Sequence, residues 1–328
     1  MKRVLLAALG VAVALPIRAQ APRVVAHSDT AALRHTLDAI AAAHHGVLGY
    51  SVINLDTGER LSLRGDETFP TASLIKVPIL VTLYSLVAQK QISLEDPLTV
   101  LKIDQVPGSG VLQFMHSGMM LSVHDAAALM IILSDNTATN LLLDRIIIRR
   151  VWATMEALGL PHTKVHSKTF LRISSVAMDS SAKYGLGVST PNEMAHLFEL
   201  LAEGKAVGPA ADSAMLDLLA NNADQESMQR TINGLVVPHK TGATDSVRTE
   251  CALFRLKSRV VACGFTKENQ DTRWVVDNEA QVSLGKIGAA VAAWAAEERG
   301  DKGDGRGEGT AQQPEVRGES SDGGPSDF

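Results

Sequence analysis

The feature that most constrains the fold is a long apolar segment that follows Thr71-Ala72-Ser73 and continues to Val87. Leu, Ile and Val dominate it, and they fall on every side of a helix rather than on one stripe. A helix that is apolar all round has to be surrounded by protein. The pattern therefore predicts a helix that starts near Ser73 and is buried on most sides, with the rest of the chain arranged around it.

Two polar side chains stand at the start of this helix, Ser73 and Lys76. A spacing of three places them on one helical face, with Cβ atoms about 5–6 Å apart. A lysine whose pKa is lowered by burial or by a nearby cation can take the proton of a serine hydroxyl. Backbone N–H groups at a helix N-terminus can hold a developing oxyanion. A capping serine followed by a surface lysine would look the same, so other segments have to decide.

Composition excludes some classes of function. The chain has 328 residues, 45% of them hydrophobic and 20% charged, enough for one large core or two lobes that share an interface. Its net charge is -5 and its Lys and Arg residues are scattered, so nucleic acid is not expected as a partner. No Cys or His pattern is typical of a metal site, and we predict neither a metal nor an organic cofactor.

Both ends of the chain differ from the middle. Residues 1–19 combine two early basic residues, a short apolar run and a small residue at the end, which is typical of a cleavable export signal. We expect a secreted or periplasmic protein, and no later segment is apolar for long enough to span a membrane. Residues 300–328 are rich in Gly, Asp, Glu, Ser and Pro, and we expect them to be disordered. The region 20–299 remains for the folded domain.

The two cysteines, Cys251 and Cys263, fall on neighbouring predicted strands. The register of that strand pair decides whether they face each other, since a slip of one residue puts them on opposite faces. Two cysteines are too few for a disulfide-based scaffold. We expect buried free thiols.

The order of predicted elements indicates an α+β fold with two lobes. An α/β lobe would combine residues 28–70 with residues 235–298, and an all-α lobe of residues 71–234 would be inserted between them. The predicted elements are a helix over residues 29–44, strands over 46–54 and 60–63, helices through 71–233, strands at 235–237, 251–254, 260–265 and 274–276, and a helix over 283–297.

Two further motifs can carry chemistry. Ser134-Asp135-Asn136 interrupts a helical pattern, and on its own it fits a corner between helices. Lys240-Thr241-Gly242 follows a strand-like stretch, and on its own it fits a strand end with a glycine turn. The order S-x-x-K, S-D-N, K-T-G is the signature of class A β-lactamases and penicillin-binding proteins. Over about residues 29–296 the chain resembles that superfamily, and most closely the class A β-lactamase-like serine hydrolases.

The resemblance implies a two-lobed β-lactamase/transpeptidase-like fold, in which an antiparallel sheet is flanked by the N- and C-terminal helices. It also implies catalytic roles at matching positions. Ser73 would be the acylated nucleophile and Lys76 its general base or proton relay. Ser134 and Lys240 would pass a proton to the leaving nitrogen. The protein would be a monomer acting on a small molecule, either a β-lactam or a D-Ala-D-Ala-like peptide.

Substrate contacts are implied in the same way. Asn136 would hold the side-chain amide of the substrate, and Thr241 with Gly242 would hold its carboxylate. The backbone N–H groups of Ala243 and of the nucleophile would form the oxyanion hole. Arg248 would add a carboxylate clamp, although it lies about one residue from the usual place and also fits a surface charge beside a strand.

One part of the family pattern is missing. Class A β-lactamases have a glutamate that activates the deacylating water, and residues 164–188 contain none. The expected position falls near Ser174, and the remaining candidates for the base are Asp179 and His166. A positioned general base contributes about 10²–10⁴ in rate, so its loss predicts normal acylation and slow release.

Three functions remain open on these grounds. The first is a serine β-lactamase-type hydrolase that opens the β-lactam ring through a Ser73 acyl-enzyme. The second is a penicillin-binding D,D-peptidase, or a related serine peptidase or esterase. The third is a non-catalytic β-lactam-binding or sensor module, against which the intact set of Ser73, Lys76, Ser134 and Lys240 argues.

Overall fold

The structure is a computed structural model and describes residues 30–297. The predicted export signal and the predicted disordered tail both lie outside these residues. The described residues 30–297 belong to one compact unit. Within the described residues, no helix combines the length and the apolar character needed to cross a bilayer.

Helices and strands have the following bounds. The helices are α1 Thr30–Ala43, α2 Lys76–Ala88, α3 Val123–Ile132, α4 Asn136–Ile146, α5 Ile148–Ala157, α6 Met178–Tyr184, α7 Pro191–Ala202, α8 Pro209–Ala220 and α9 Glu279–Ala296. The strands are β1 Val47–Asn54, β2 Arg60–Leu63, β3 Phe69–Pro70, β4 Pro97–Val100, β5 Met119–Ser122, β6 Lys164–Val165, β7 Gly187–Ser189, β8 His239–Thr244, β9 Val247–Arg255 and β10 Arg259–Lys267. Short 3-10 helices cover Ala72–Ile75, Lys102–Asp104, Leu112–Phe114 and Arg172–Ser174.

The main sheet is antiparallel, with the strand order β2-β1-β10-β9-β8. One of its faces packs against α1 and α9, which come from opposite ends of the described chain. Leu37 of α1 and Ile287 and Trp294 of α9 are buried there with Tyr50 and Phe254 of the sheet. The predicted antiparallel sheet flanked by the terminal helices is confirmed.

Helix α2 lies within the second and larger apolar cluster, which includes residues from α3, α4, α5, α7, α8 and the opposite face of the sheet. Every residue from Lys76 to Tyr84 is buried. Burial of one Leu, Ile or Val side chain contributes about 1.5–3 kcal/mol, so this helix anchors the region that surrounds it. The prediction of a central helix buried on most sides is confirmed.

The region 71–234 is mainly helical, as predicted, but it also contains short strands. β4 pairs with β5, and β7 pairs with both β3 and β6. These strands have two to four residues each. A run that short shows no detectable alternation of apolar and polar residues, which is why the sequence pattern did not reveal them.

Two predicted strands are absent. Residues 235–237 are irregular, and β8 begins at His239 because Pro238 has no N–H to donate to a ladder and uses only its carbonyl, which accepts from Leu253 N at 2.9 Å. Residues 274–276 form a loop. Both sides of β10 are already occupied by β1 and β9, so an extra strand has no place beside it.

The last helix begins at Glu279, four residues before the predicted start at Ser283. Asn278 is its N-cap, and its side-chain oxygen accepts hydrogen bonds from the backbone N–H groups of Ala280 and Gln281. Asparagine is one of the preferred residues at this position. The apolar spacing that guided the prediction begins only with Leu284, one turn later.

The expectation of free thiols is wrong, because Cys251 and Cys263 form a disulfide bond. The antiparallel register of β9 and β10 places the two residues directly opposite each other, with their Cα atoms 4.1 Å apart. Directly opposite residues point to the same face of a sheet. Both side chains are fully buried in the cluster around α2, so the burial was predicted correctly and the bond was not.

The disulfide predicts a specific alkylation pattern. Denatured but unreduced protein should gain no iodoacetamide adduct by intact mass, and should gain two after reduction. The variant Cys251→Ser should be alkylated once without reductant, and should lose about 2–4 kcal/mol of unfolding free energy. Two adducts on unreduced wild-type protein would show that the thiols are free.

Candidate active site

Ser73 lies in the 3-10 turn Ala72–Ile75, which leads directly into α2 at Lys76. Helix α2 thus starts about one turn later than the predicted start near Ser73. Ala72 has a φ of 45°, a left-handed conformation that is unusual for a residue with a side chain. The predicted contact is present, with Lys76 Nζ 3.1 Å from Ser73 Oγ.

Lys76 is fully buried and lies among oxygen atoms of three residues. Besides Ser73 Oγ, its Nζ contacts Ser134 O at 2.7 Å, Ser134 Oγ at 3.1 Å and Asn136 Oδ1 at 2.9 Å. An ammonium group has three N–H donors and no acceptor. It can therefore donate to only three of these four oxygen atoms at one time. A neutral amine in the same place can accept a proton from one of the two hydroxyls.

Burial lowers the pKa of Lys76 well below its usual value, and the positive charge of Lys240 lowers this pKa further. The nearby Asp135 carboxylate acts in the opposite direction. Both leading effects favour the uncharged amine. The lowered pKa of Lys76 therefore suits a base that acts on the Ser73 hydroxyl.

The Ser134-Asp135-Asn136 motif forms the corner between α3 and α4. Asp135 is the N-cap of α4, and its carboxylate accepts from Ala138 N at 2.9 Å. The same carboxylate accepts from Val111 N at 2.7 Å and from Leu112 N at 2.9 Å, which ties the preceding loop to this corner. Ser134 has a φ of 54°, in the left-handed region, and contacts Lys76 through both its hydroxyl and its carbonyl. The motif is both a helix corner and a part of the site.

Strand β8 runs directly beside the turn that holds Ser73. A Cβ atom added at Gly242 would lie 2.3 Å from Thr71 O and 2.8 Å from Leu74 N, which is too close for any side chain. Thr249 on the neighbouring strand donates its hydroxyl to Thr71 O at 2.8 Å. Glycine in the K-T-G motif is thus required by the close approach of two backbones. That approach brings Ala243 to the wall of the cavity that Ser73 also lines.

Lys240 is the second fully buried lysine of the site. Burial lowers its pKa to about 8, against the opposing charges of Asp224 and Glu250. Its Nζ donates to Thr241 O at 2.9 Å. The amine therefore changes charge within the range of pH in which enzymes are normally assayed.

Two residues near Lys240, Asp224 and Glu250, were not found from the sequence. Asp224 accepts a hydrogen bond from Thr241 Oγ1 at 2.8 Å, so the hydroxyl expected to bind a substrate carboxylate already has a carboxylate partner. Glu250 is fully buried and contacts His239 Nδ1 at 2.7 Å. Glu250 directly precedes the predicted strand over 251–254, so the apolar pattern did not mark it as a buried side chain.

Ser73 lies where two cavities meet, and both are open toward solvent. The larger has a volume of about 560 Å³ and extends from Ser73 and Asn136 to the segment 167–172. The smaller has a volume of about 310 Å³ and extends from Ser73 to Ser134, Thr241 and Asp224. A ligand centred on Ser73 would therefore contact Asn136 on one side and Thr241 on the other.

Arg248 is buried, so the alternative of a surface charge is wrong. Its guanidinium donates to the carbonyls of Thr244, Val247 and Arg273 and lies 4.6 Å from the centre of the Trp274 ring. It does not line either cavity next to Ser73, although Trp274 lines both. Its position supports the end of β8 and the Trp274 loop.

The candidate bases for deacylation lie away from the cavity wall. Asp179 is exposed in the first turn of α6, and His166 is buried with its Nδ1 3.2 Å from Gly185 O. Neither residue lines the cavities next to Ser73. Ser174 closes its own loop, because its Oγ donates to Leu171 O at 2.6 Å and accepts from Lys168 N at 2.8 Å.

Comparison with known proteins decides the family. The sequence profile of the β-lactamase enzyme family matches residues 32–295. The chain belongs to this family. The predicted resemblance to serine β-lactamases and penicillin-binding proteins is thereby confirmed, and with it a hydrolase that acts on a small-molecule substrate.

Individual relatives of this β-lactamase-family protein are distant. The β-lactamase of Rhodobacter capsulatus is 24% identical over 272 residues, which are 81% of this chain and 90% of the relative. Beta-lactamase L2 of Stenotrophomonas maltophilia is 33% identical over 140 residues, which are 42% of this chain and 46% of the relative, less than half of its length.

Solved structures confirm the α+β fold. A β-lactamase from Sphaerobacter thermophilus superposes with a TM-score of 0.72 at 26% identity, covering 81% of this chain and 98% of that chain. The structure of PBP-A superposes with a TM-score of 0.71 at 23% identity, covering 80% and 96%. At the latter identity the likeness is one of fold.

Gly242 provides a test of how the site is assembled. Gly242→Ala should lower the unfolding free energy by about 1–3 kcal/mol, because the new Cβ would overlap the backbone of the Ser73 turn. Thr244→Ala, at the exposed end of the same strand, should change it by no more than about 0.5 kcal/mol. Guanidinium unfolding followed by circular dichroism measures both. Equal midpoints for the two variants would contradict the close approach of β8 to the turn.

Proposed function

We propose that this protein is a serine β-lactamase-type hydrolase that opens the β-lactam ring by forming an ester at Ser73. The observation that carries the proposal is the position of Lys76 Nζ, buried and 3.1 Å from the hydroxyls of both Ser73 and Ser134. A base shared by two hydroxyls can remove a proton from one and return it through the other. Acyl transfer needs both steps.

In the acylation step, neutral Lys76 takes the Ser73 proton while Oγ attacks the carbonyl carbon of the lactam. The oxyanion that forms is held by the backbone N–H groups of Ser73 and Ala243. The C–N bond then breaks, and the Ser134 hydroxyl delivers a proton to the nitrogen. Lys240 in its charged form assists that transfer and attracts the carboxylate of the substrate.

Deacylation is the step in which this protein is proposed to differ from class A enzymes. The segment 167–172 supplies Lys168 and Arg172 to the cavity wall, and it contains no carboxylate that could activate water. Loss of a positioned general base slows a step by about 10²–10⁴. We therefore propose fast formation and slow release of the acyl-enzyme.

The same wall favours a second candidate function, a penicillin-binding D,D-peptidase. Such an enzyme forms the same ester with a β-lactam and releases it slowly, while it turns over a D-Ala-D-Ala-like peptide. The export signal predicted in residues 1–19 fits both candidates, and we propose that the protein acts in the periplasm or outside the cell.

The proposed function predicts a covalent adduct between Ser73 and a penicillin. Wild-type protein mixed with benzylpenicillin should gain the mass of one intact penicillin, and the adduct should decay over minutes with slow turnover of nitrocefin. Ser73→Ala should form no adduct, because it lacks the nucleophile. Time-resolved intact-mass spectrometry measures both. No adduct on the wild type would overturn the proposal and favour a non-catalytic module. A stable adduct combined with release of D-Ala from a D-Ala-D-Ala peptide would establish the peptidase.

The proposed function also predicts how the rate of adduct formation depends on pH. Lys240 is needed in its charged form, so the rate of adduct formation should fall as the pH rises through about 8. The negative charge of Asp224 raises the pKa of Lys240, so Asp224→Asn should move this alkaline limb to lower pH. Adduct formation measured from about pH 6 to about pH 10 tests this. Asp217→Asn, an exposed change on α8, is the matched control and should leave the limb in place. An identical limb in wild type and Asp224→Asn would contradict the assignment to Lys240.

A further inference from the structure

The wall of the larger cavity opposite Ser73 carries positive charge. Lys168 and Arg172 both line it, and both belong to the segment in which class A enzymes would supply a negative charge. Phe170 lies between them in sequence, is 64% exposed and lines the same cavity. The wall thus offers an aromatic surface next to cationic groups.

Lys168 and Arg172 differ in whether a carboxylate lies close enough to compensate their positive charge. Lys168 forms an ion pair with Asp144, which compensates its charge locally. Arg172 is exposed, and within residues 30–297 its guanidinium has no ion pair and no hydrogen bond. An arginine without a partner keeps its full charge and its planar set of donors, which match a carboxylate well. Arg172 is therefore the group of this wall that is available to a ligand.

Other carboxylates at the cavity do not cancel this charge by contact. Asp245 also lines the cavity, and its Oδ1 accepts a hydrogen bond from Trp274 Nε1 at 2.7 Å. Asp245 directly follows β8 and is bonded to Trp274. Arg172 belongs to a different segment, the 3-10 helix Arg172–Ser174 between β6 and α6. Asp144 does not line the cavity and is paired with Lys168.

The position of Asn136 shows which part of a ligand would meet this wall. Under the proposed function, Asn136 holds the amide of the acyl side chain, and it lines the same cavity as Phe170 and Arg172. The carboxylate on the leaving side would lie in the other cavity, beside Thr241. The acyl side chain therefore extends toward the cationic wall.

From this arrangement, and resting on the proposed function, we propose that the cleft selects acyl side chains that carry a negatively charged group. Arg172 is the specificity-determining residue, and Phe170 contacts the apolar part of the same side chain. The substrate class is an N-acylated lactam or peptide whose acyl part ends in, or bears, a carboxylate. An ammonium group at the same place would be disfavoured by repulsion.

Three penicillins provide a matched series of probes. Benzylpenicillin, carbenicillin and ampicillin share a phenyl-bearing acyl side chain, and they carry a hydrogen, a carboxylate and an ammonium group, respectively, on the same carbon. The second-order rate of adduct formation at Ser73 should decrease in the order carbenicillin, benzylpenicillin, ampicillin at low ionic strength. An exposed charge pair changes a rate by about two- to five-fold, so the two extremes should differ by about ten-fold.

Variants of Arg172 separate its charge from the rest of the molecule. Arg172→Gln should reduce the difference between carbenicillin and ampicillin to about two-fold or less, and Arg172→Glu should reverse the order. Arg255→Gln removes the same charge from an exposed position that does not line the cavity, and it should keep the wild-type order. Salt at about 0.5 M should shrink the wild-type difference, because exposed charges are screened.

The outcomes distinguish this inference from the function on which it rests. If no penicillin forms an adduct, the proposed function fails and the selectivity fails with it. If all three form adducts but Arg172→Gln keeps the wild-type ratios, the acyl-transfer function stands and the role of Arg172 is overturned. A ratio that changes equally in Arg172→Gln and Arg255→Gln would show an effect of net charge alone, which also overturns it.

Discussion

The site depends on the burial of two lysines, Lys76 and Lys240, beside one serine. Removing an ammonium group from water costs several kcal/mol unless it is paired or loses its proton. Neither Nζ is in direct contact with a carboxylate in the described residues; their partners are hydroxyl, amide and carbonyl oxygens. Burial without a carboxylate in contact lowers the pKa of both amines, whereas a direct ion pair would favour their charged forms.

The surrounding fold supplies the apolar environment that this burial needs. Helix α2 is apolar on every side, so the only polar group of its first turn is enclosed together with it. Strand β8 closes the other side through the close approach of Gly242 to Thr71. The central helix and the edge strand of the sheet therefore meet at Ser73, and changes in either one alter the surroundings of its hydroxyl directly.

The sequence predicted the parts of this arrangement that depend on local pattern. The apolar helix, the strands over 46–54, 60–63, 251–254 and 260–265, and the three motifs are each set by a pattern within one continuous segment. It did not predict the contacts that depend on pairing between distant segments. The register that joins Cys251 to Cys263, the bond from Thr241 to Asp224 and the cationic wall at Arg172 are set by how segments dock, which one sequence does not display. Two predicted strands also failed, one directly before Pro238 and one after β10, whose two sides are already paired with β1 and β9.

Ala72 directly precedes Ser73, and Ser134 carries the second hydroxyl of the site. Both residues have left-handed backbone conformations, each of which costs about 1 kcal/mol or more for a residue with a side chain. Glycine would adopt either conformation without that cost, yet at position 134 it would remove the hydroxyl. Strain of this kind persists only where the surrounding structure holds the backbone in place. At these two positions the strained backbone coincides with the hydroxyls of the site, so part of the free energy of folding goes into fixing where those hydroxyls lie.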